Sequence, residues 1–249
     1  WHKSGTELGR GTFGVVYEAI DAETGEIFAV KEVSNCATSV KSLEKEMDTL
    51  RQLKHVNIVR YRGMQFEKGR LSLFMELCTG GSISSVLDTF GPLTESIVRR
   101  YTCQMLCGLD YLHRHCIVHR DVKCANALLN SAGQLKLADF GGSKWLSECS
   151  TGSLHGTARY LAPEVLRGER IGRQVDIWAV GCCVVEMLTR QLPFVDQFSN
   201  DFTLMRGLSK LDLPPEPPEN FPKDAAMFVK ECFVMNPKLR PSAYRLLKH

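Results

Sequence analysis

In the first third of the chain, apolar and β-branched residues fall into short runs bounded by glycine, aspartate or polar turns. On this pattern residues 8–20, 28–33 and 71–77 read as strands, and Asp21-Ala22-Glu23-Thr24-Gly25 as the hairpin connection between the first two. Leu43, Met47, Leu50 and Leu53 recur at helical spacing, which predicts one amphipathic helix on a small antiparallel sheet. After Thr79-Gly80-Gly81-Ser82 the period changes. Val98, Tyr101, Met105, Leu109 and Leu112 trace one helical face up to a break at His113 to His115. Short strands are predicted at 127–130 and 134–138, around the turn Ser131-Ala132-Gly133, and the apolar run 177–185 predicts a helix buried on all sides. Residues 142–159 are polar without evident structure, and loops of that length are usually functional or mobile. The pattern describes an α+β chain whose β-rich N-terminal part carries one helix and whose larger C-terminal part is mostly helical.

Composition narrows the class. With 249 residues, 44% hydrophobic and 24% charged, the chain can bury a core without metal or disulfide staples. A net charge of +3 does not suggest a dedicated nucleic-acid or membrane-surface binder. The longest apolar run is far short of the about 20 residues needed to span a bilayer, and no signal peptide opens the chain. Ten cysteines in a chain of this size fit reduced thiols, hence a cytoplasmic setting.

Four segments carry candidate chemistry. Gly9-Arg10-Gly11-Thr12-Phe13-Gly14-Val15-Val16 is a glycine loop of the kind that lets backbone N–H groups approach phosphates. A dinucleotide fingerprint would need a helix after it, but residues 15–20 are strand-like. Lys31 closes the apolar strand Phe28-Ala29-Val30, where it could bind phosphates or snorkel as a surface lysine. In His119-Arg120-Asp121-Val122-Lys123-Cys124-Ala125-Asn126, Asp121 could orient a hydroxyl or accept its proton, and Lys123 could neutralise a transferring phosphoryl group. Asn126 could ligate a hard metal, and Asp139-Phe140-Gly141 offers a second oxygen ligand, a donor set suited to magnesium.

The order of these segments, followed by Ala162-Pro163-Glu164, resembles the protein kinase family along essentially the whole chain. The resemblance implies a two-lobed fold: an N-lobe at 1–76, a hinge at 77–81 and a C-lobe at 82–249, with ATP in the cleft. It implies that Glu76, Leu77 and Cys78 hold adenine by backbone groups, that Met75 guards the back of the pocket, and that Val16, Ala29 and Leu128 sandwich the ring. Both Glu44 and Glu46 could pair with Lys31; counting back from residues 53–59 selects Glu46, four residues before Leu50. Asp176 would tie down the backbone of the catalytic loop, and Arg240 would pair with Glu164. ATP and Mg2+ are the implied cofactors, Asn126 and Asp139 the metal ligands.

Lys123, two residues after Asp121, is similar to serine/threonine kinases, and Thr157 would bridge Asp121 and Lys123. Arg120 with Lys144 could form a cationic pocket for a phosphate on the intervening loop. Ser153 is the foremost phosphosite candidate, with Thr151, Ser150 and Thr157 behind it; the alternative is solvated loop hydroxyls. The segments 1–9, Leu73-Phe74-Met75-Glu76 and Gly80-Gly81-Ser82-Ile83 resemble the upstream kinases of mitogen-activated cascades, which implies a downstream kinase as protein substrate and activation by an upstream kinase or by trans-autophosphorylation. Cys124, Gly142 and Ala158-Arg159-Tyr160-Leu161 depart from the usual pattern, the last where substrate docks.

Other readings are weaker. His113, His115, Cys116, His119 and Cys124 match no paired zinc-ligand spacing. Cys103 and Cys107, four apart, read as core packing. Residues 213–218 read as a rigid proline connector rather than a polyproline ligand. A catalytically dead scaffold would normally have lost Lys31, Asp121, Asn126 or Asp139, and all are present. The chain stops at Leu246-Leu247-Lys248-His249, where family members continue into a Pro-Phe segment, so it is expected to be a catalytic domain cut from a longer protein.

Overall fold

The computed structural model describes residues 1–11, 14–33, 51–67, 69–139, 144–145, 157–192, 194, 200–210, 214–217 and 220–249, with Gly11, Lys144 and Trp145 described by backbone alone. Thr12, Phe13, most of the helix expected around Leu43 to Leu53 with Glu44 and Glu46, Phe140 to Gly142, and the loop with Ser150, Thr151 and Ser153 lie outside the described residues. The chain forms two compact units, Trp1–Thr79 and Gly80–His249.

The N-terminal unit is built on five antiparallel strands: β1 (His2–Gly11), β2 (Gly14–Ile20), β3 (Ile27–Val33), β4 (Tyr61–Glu67) and β5 (Arg70–Met75). Their order across the sheet is β1-β2-β3-β5-β4. The single run expected at 8–20 is two strands, because the glycines fold it back with Gly11 opposite Gly14. Gly14 has φ +142°, and a Cβ there would lie 2.0 Å from the Glu32 carbonyl oxygen, so neither the turn nor its seat against β3 admits a side chain. β4 escapes the pattern reading: its buried positions stop at Gly63 and its second half is exposed, as suits an edge strand. Asp21 binds the turn before β3, accepting from the N–H groups of Glu23 and Thr24 at 2.9 and 2.8 Å. Ala19, Phe28 and Val30 form the core on one face of the sheet, with Phe74 edge-on to Phe28.

In the C-terminal unit, α1 (Ile83–Phe90) starts in a capping box between Ser82 and Ser85, and α2 (Glu95–Arg114) follows. Next come β6 (Ile117–Val118), β7 (Ala127–Leu129), β8 (Leu135–Leu137), β9 (Lys144–Trp145), the one-turn helix α3 (Pro163–Leu166) and α4 (Gln174–Thr189). The helices α5 (Asp201–Lys210), α6 (Lys223–Cys232) and α7 (Ala243–Leu246) complete the unit. α4 is buried nearly all round, as its unbroken apolar run demands. Trp178 on α4 meets Phe233 beyond α6 at 4.8 Å between ring centroids. Gly181 permits this approach, since a Cβ there would come within 2.7 Å of Cys232 Cβ. Cys103 is exposed and Cys107 half-buried, which corrects the core-packing expectation for Cys103: it lies outside the α2 stripe that carries Val98, Met105 and Leu109. The stretch expected to lack structure contains β9 and a 3-10 turn at Ala158–Tyr160.

Candidate active site

In the N-terminal unit, strand register gathers the phosphate and adenine candidates on one face. Val16 pairs with Lys31 and Ala29 with Met75, so these four side chains point to the same side. Lys31 is only 7% exposed, at the centre of the sheet, which rules out the snorkelling surface reading. Gly9, Arg10, Gly11, Val15 and Val16 form the β1–β2 hairpin, which excludes the strand-turn-helix of a dinucleotide site. Arg10 is bound to Glu7 at 2.9 Å. Glu76 closes on Arg60 twice, its N–H donating to the Arg60 carbonyl and its Oε1 accepting from the Arg60 N–H. Cys78 is half-buried.

In the C-terminal unit, the site is held from beneath by one carboxylate. Asp176, in the first turn of α4, accepts from the His119 N–H at Oδ2 (3.0 Å) and from the Arg120 N–H at Oδ1 (2.8 Å), and His113 Nε2 lies 2.8 Å from Oδ2. Burial alone would raise the Asp176 carboxyl. The hydrogen bond and charge of His113 and the hydrogen bond from the Arg120 N–H outweigh burial and hold it below the usual aspartate value. This clamp fixes Arg120 at φ 69°, a left-handed conformation that a non-glycine residue keeps only when its surroundings enforce it. His119 Nε2 lies 3.1 Å from the Ala138 carbonyl, and the Asp121 N–H lies 3.3 Å from its Nδ1.

On this base stands a cluster of four side chains. Lys123 Nζ lies 2.8 Å from Asp121 Oδ2 and donates to Thr157 Oγ1 at 2.8 Å. Asn126 Nδ2 donates to Asp121 Oδ2 and to the Asp121 carbonyl, both at 2.8 Å. Thr157 Oγ1 reaches Asp121 Oδ1 at 3.4 Å. Thr157, read both as this bridge and as a phosphosite, thus has its hydroxyl engaged by Asp121 and Lys123. The β7–β8 hairpin brings Asp139 alongside: Ala127 pairs with Leu137, and the Ala138 N–H donates to the Asn126 carbonyl at 2.9 Å. Asp139 follows with φ 61°. Leu128, half-buried on β7, is bridged to Ser82.

Lys144 lies on β9 opposite Val118, its side chain outside the described residues, while Arg120 is buried. Tyr160 and Glu186 are a pair that sequence reading missed. The Tyr160 hydroxyl donates to the Glu186 carboxylate and ties the segment after Thr157 to α4. Burial, with the charge of Glu186 and its hydrogen bond, raises the Tyr160 hydroxyl far above its ordinary value, so it stays a donor. Nothing in their spacing marks them. Cys124, in place of the usual glycine, is fully buried with its Sγ 3.9 Å from the Cys183 carbonyl, and burial pushes its thiol up. Arg240 forms a two-pronged pair with Glu164 at 2.7 and 3.0 Å, lies over Trp178, and donates to the carbonyls of Gln174 and Val234. Among the described residues, no three His, Cys, Asp or Glu side chains converge as metal ligands. No helix among them is long and apolar enough to cross a membrane.

An α+β fold with an antiparallel sheet unit, a helical unit and an Asp-Lys-Asn cluster clamped from a buried helix defines a protein kinase. The protein kinase domain model matches residues 2–249, and the chain belongs to that family, whose members use ATP and Mg2+. It is 44% identical to mitogen-activated protein kinase kinase kinase 2 of Arabidopsis thaliana, over all of this chain and 40% of that protein. It is 40% identical to mitogen-activated protein kinase kinase kinase A of Dictyostelium discoideum and to mitogen-activated protein kinase kinase kinase 19 of Homo sapiens, over all of this chain and 27% and 20% of those proteins. The chain thus spans at most about two fifths of these relatives' lengths.

Proposed function

We propose that the chain is the catalytic domain of a serine/threonine protein kinase that moves the γ-phosphoryl group of ATP to a protein hydroxyl, its substrate being a second kinase lower in a mitogen-activated cascade. The cluster around Asp121 carries this reading. Among the described residues, Asp121 Oδ2 is occupied by Lys123 and Asn126, whereas Oδ1 meets only the long contact from Thr157. Oδ1 is therefore the oxygen that orients the acceptor hydroxyl and takes its proton. Lys123, already beside that carboxylate, stabilises charge developing on the transferring group. The names of the relatives, the lysine two residues after Asp121 and the Thr157 bridge support a Ser/Thr acceptor and the cascade assignment.

The metal candidates fit magnesium. Asn126 commits its amide nitrogen to Asp121, which leaves Oδ1 for a hard cation, and Asp139 adds a carboxylate. Two protein oxygens suit an ion that keeps water and phosphate oxygens in its remaining positions. Bound magnesium draws negative charge off the phosphates. In the N-terminal unit Lys31, for which Glu46 is the proposed partner, holds the α and β phosphates, the hairpin from Gly9 to Val16 covers them, and Val16, Ala29 and Met75 contact adenine beside the backbone of Glu76 and Cys78. Phosphorylation of Ser153 or Thr151, by an upstream kinase or in trans, is the proposed switch: Ser153→Ala lowers the rate several-fold with folding intact, and an unchanged rate rejects Ser153 as the switch. The abundant free thiols suit a cytoplasmic setting.

The test is incubation with ATP–Mg and a catalytically inactive mitogen-activated protein kinase kinase. Phosphoserine or phosphothreonine should form in the substrate's activation loop and disappear with Asp139→Asn. Phosphotyrosine alone contradicts the acceptor class, and label equal to that of Asp139→Asn contradicts phosphoryl transfer.

A further inference from the structure

Away from the catalytic cluster, the C-terminal unit holds a cavity of about 230 Å3. Its walls are Asp110 and Arg114 on the last turns of α2, Arg173 and Ile177 at the start of α4, and Ser242 and Ala243 at the start of α7. An apolar cavity of about 150 Å3 admits benzene, so this one has room for a small ring with a polar head.

The charges on the wall do not balance. Arg114 Nη2 lies 2.8 Å from Asp110 Oδ2, one turn back on α2, and these two cancel. His113, on the same wall, is bound to Asp176. Arg173 is different. It is half-buried, its Nε is buried without a hydrogen-bond partner, and its Nη2 makes one contact, with Cys116 Sγ at 3.7 Å. Among the described residues no carboxylate pairs with it, although a guanidinium offers five N–H donors in a planar fork that matches a carboxylate. Drawing such a group partly out of water without a counter-ion is costly, so an arriving carboxylate gains both the charge interaction and the hydrogen bonds. One uncompensated positive charge suits a monoanion and would leave a dianion in excess.

We propose that this cavity binds a small monocarboxylic acid, its carboxylate on the guanidinium of Arg173 and its apolar body against Ile177, Pro241 and Ala243. Cys116 is exposed and touches Arg173 from outside the cavity wall, so it reports whether that guanidinium is free or engaged.

The test compares alkylation of Cys116 by iodoacetate and by iodoacetamide at constant ionic strength, read by peptide mass spectrometry on the whole chain, with the exposed Cys103 as reference. A free guanidinium draws the anionic reagent, so the iodoacetate-to-iodoacetamide rate ratio at Cys116 should exceed that at Cys103 by up to about fivefold, the size of an exposed ion-pair contribution. Benzoate should lower the ratio at Cys116 saturably to that of Cys103, and benzamide, its neutral isostere, should leave it unchanged. Arg173→Gln should remove both the excess and the response to benzoate. Ala243→Leu, or Gln174→Trp at a half-buried wall position should Ala243→Leu fail to fold, fills the cavity and should keep the excess while abolishing the response. A ratio at Cys116 no higher than at Cys103 would mean that Arg173 already has a counter-ion, and overturns the proposal. So does a benzoate response that is absent from the parent chain or persists in a folded cavity-filled variant. Phenyl phosphate acting at lower concentration than benzoate would also overturn it, by giving the site to phosphate esters.

Discussion

Asp176 concentrates three polar contacts on one fully buried carboxylate, and its lowered pKa makes it a source of pH-dependent stability. Because the folded value lies below the unfolded one, the contribution is fully present above the unfolded pKa of about 3.9 and is lost as pH falls through the folded value. Asp176→Asn should lower the unfolding free energy by about 1–3 kcal/mol at neutral pH, since a neutral amide leaves part of the backbone of His119 and Arg120 unmatched. Its deficit in urea unfolding should shrink as the pH is taken below about 4. A deficit that does not change with pH would show that the charge of Asp176 is not what holds the loop. Tyr160 makes the companion case. Tyr160→Phe leaves the Glu186 carboxylate buried without its donor, and its cost, about 1–3 kcal/mol, should be largely recovered in the double variant Tyr160→Phe/Glu186→Leu. A double variant no more stable than the single one would contradict the pairing.

At the scale of elements, α4 supports the site from within the core, and two of its contacts admit little change. Gly181→Ala sets a methyl group against Cys232 and Phe233 and should destabilise by about 1–3 kcal/mol, visible as a lower urea midpoint with unchanged slope. Arg240→Met strands the Glu164 carboxylate in the interior and should cost about 3–5 kcal/mol. Thermal unfolding within a degree of the parent would refute either reading. These elements also show what the sequence could reveal. An unbroken apolar run leads to a helix buried all round, and the α2 stripe was legible to within a few residues because burial on one side imposes a period of 3.6. The edge strand β4 was not legible, since half of it faces solvent and lacks alternation. The split of residues 8–20 into two strands depended on backbone conformations that only the glycines hint at. Cys103 was misread because four-residue spacing places Cys103 and Cys107 near each other without saying which way they face.

Over the whole molecule, the catalytic candidates were legible because each is a residue type whose chemistry is scarce at such positions: a lysine within an apolar strand, and a carboxylate, an amine and an amide within one short loop. Their supports were less so. Lys123, Thr157 and Asn126 converge on Asp121 across a span of 36 residues, and Tyr160 finds Glu186 across 26, distances that only tertiary structure closes. The central claim is that the Asp121 cluster makes the chain a phosphoryl-transfer catalyst. It is tested most directly by following 32P from labelled ATP–Mg into a protein substrate with the wild-type chain and with Asp121→Asn, both checked for cooperative unfolding. Transfer by the wild type should exceed that of Asp121→Asn by about 100-fold or more, the usual range for removal of a positioned acid–base group. Equal rates from two folded proteins would contradict it.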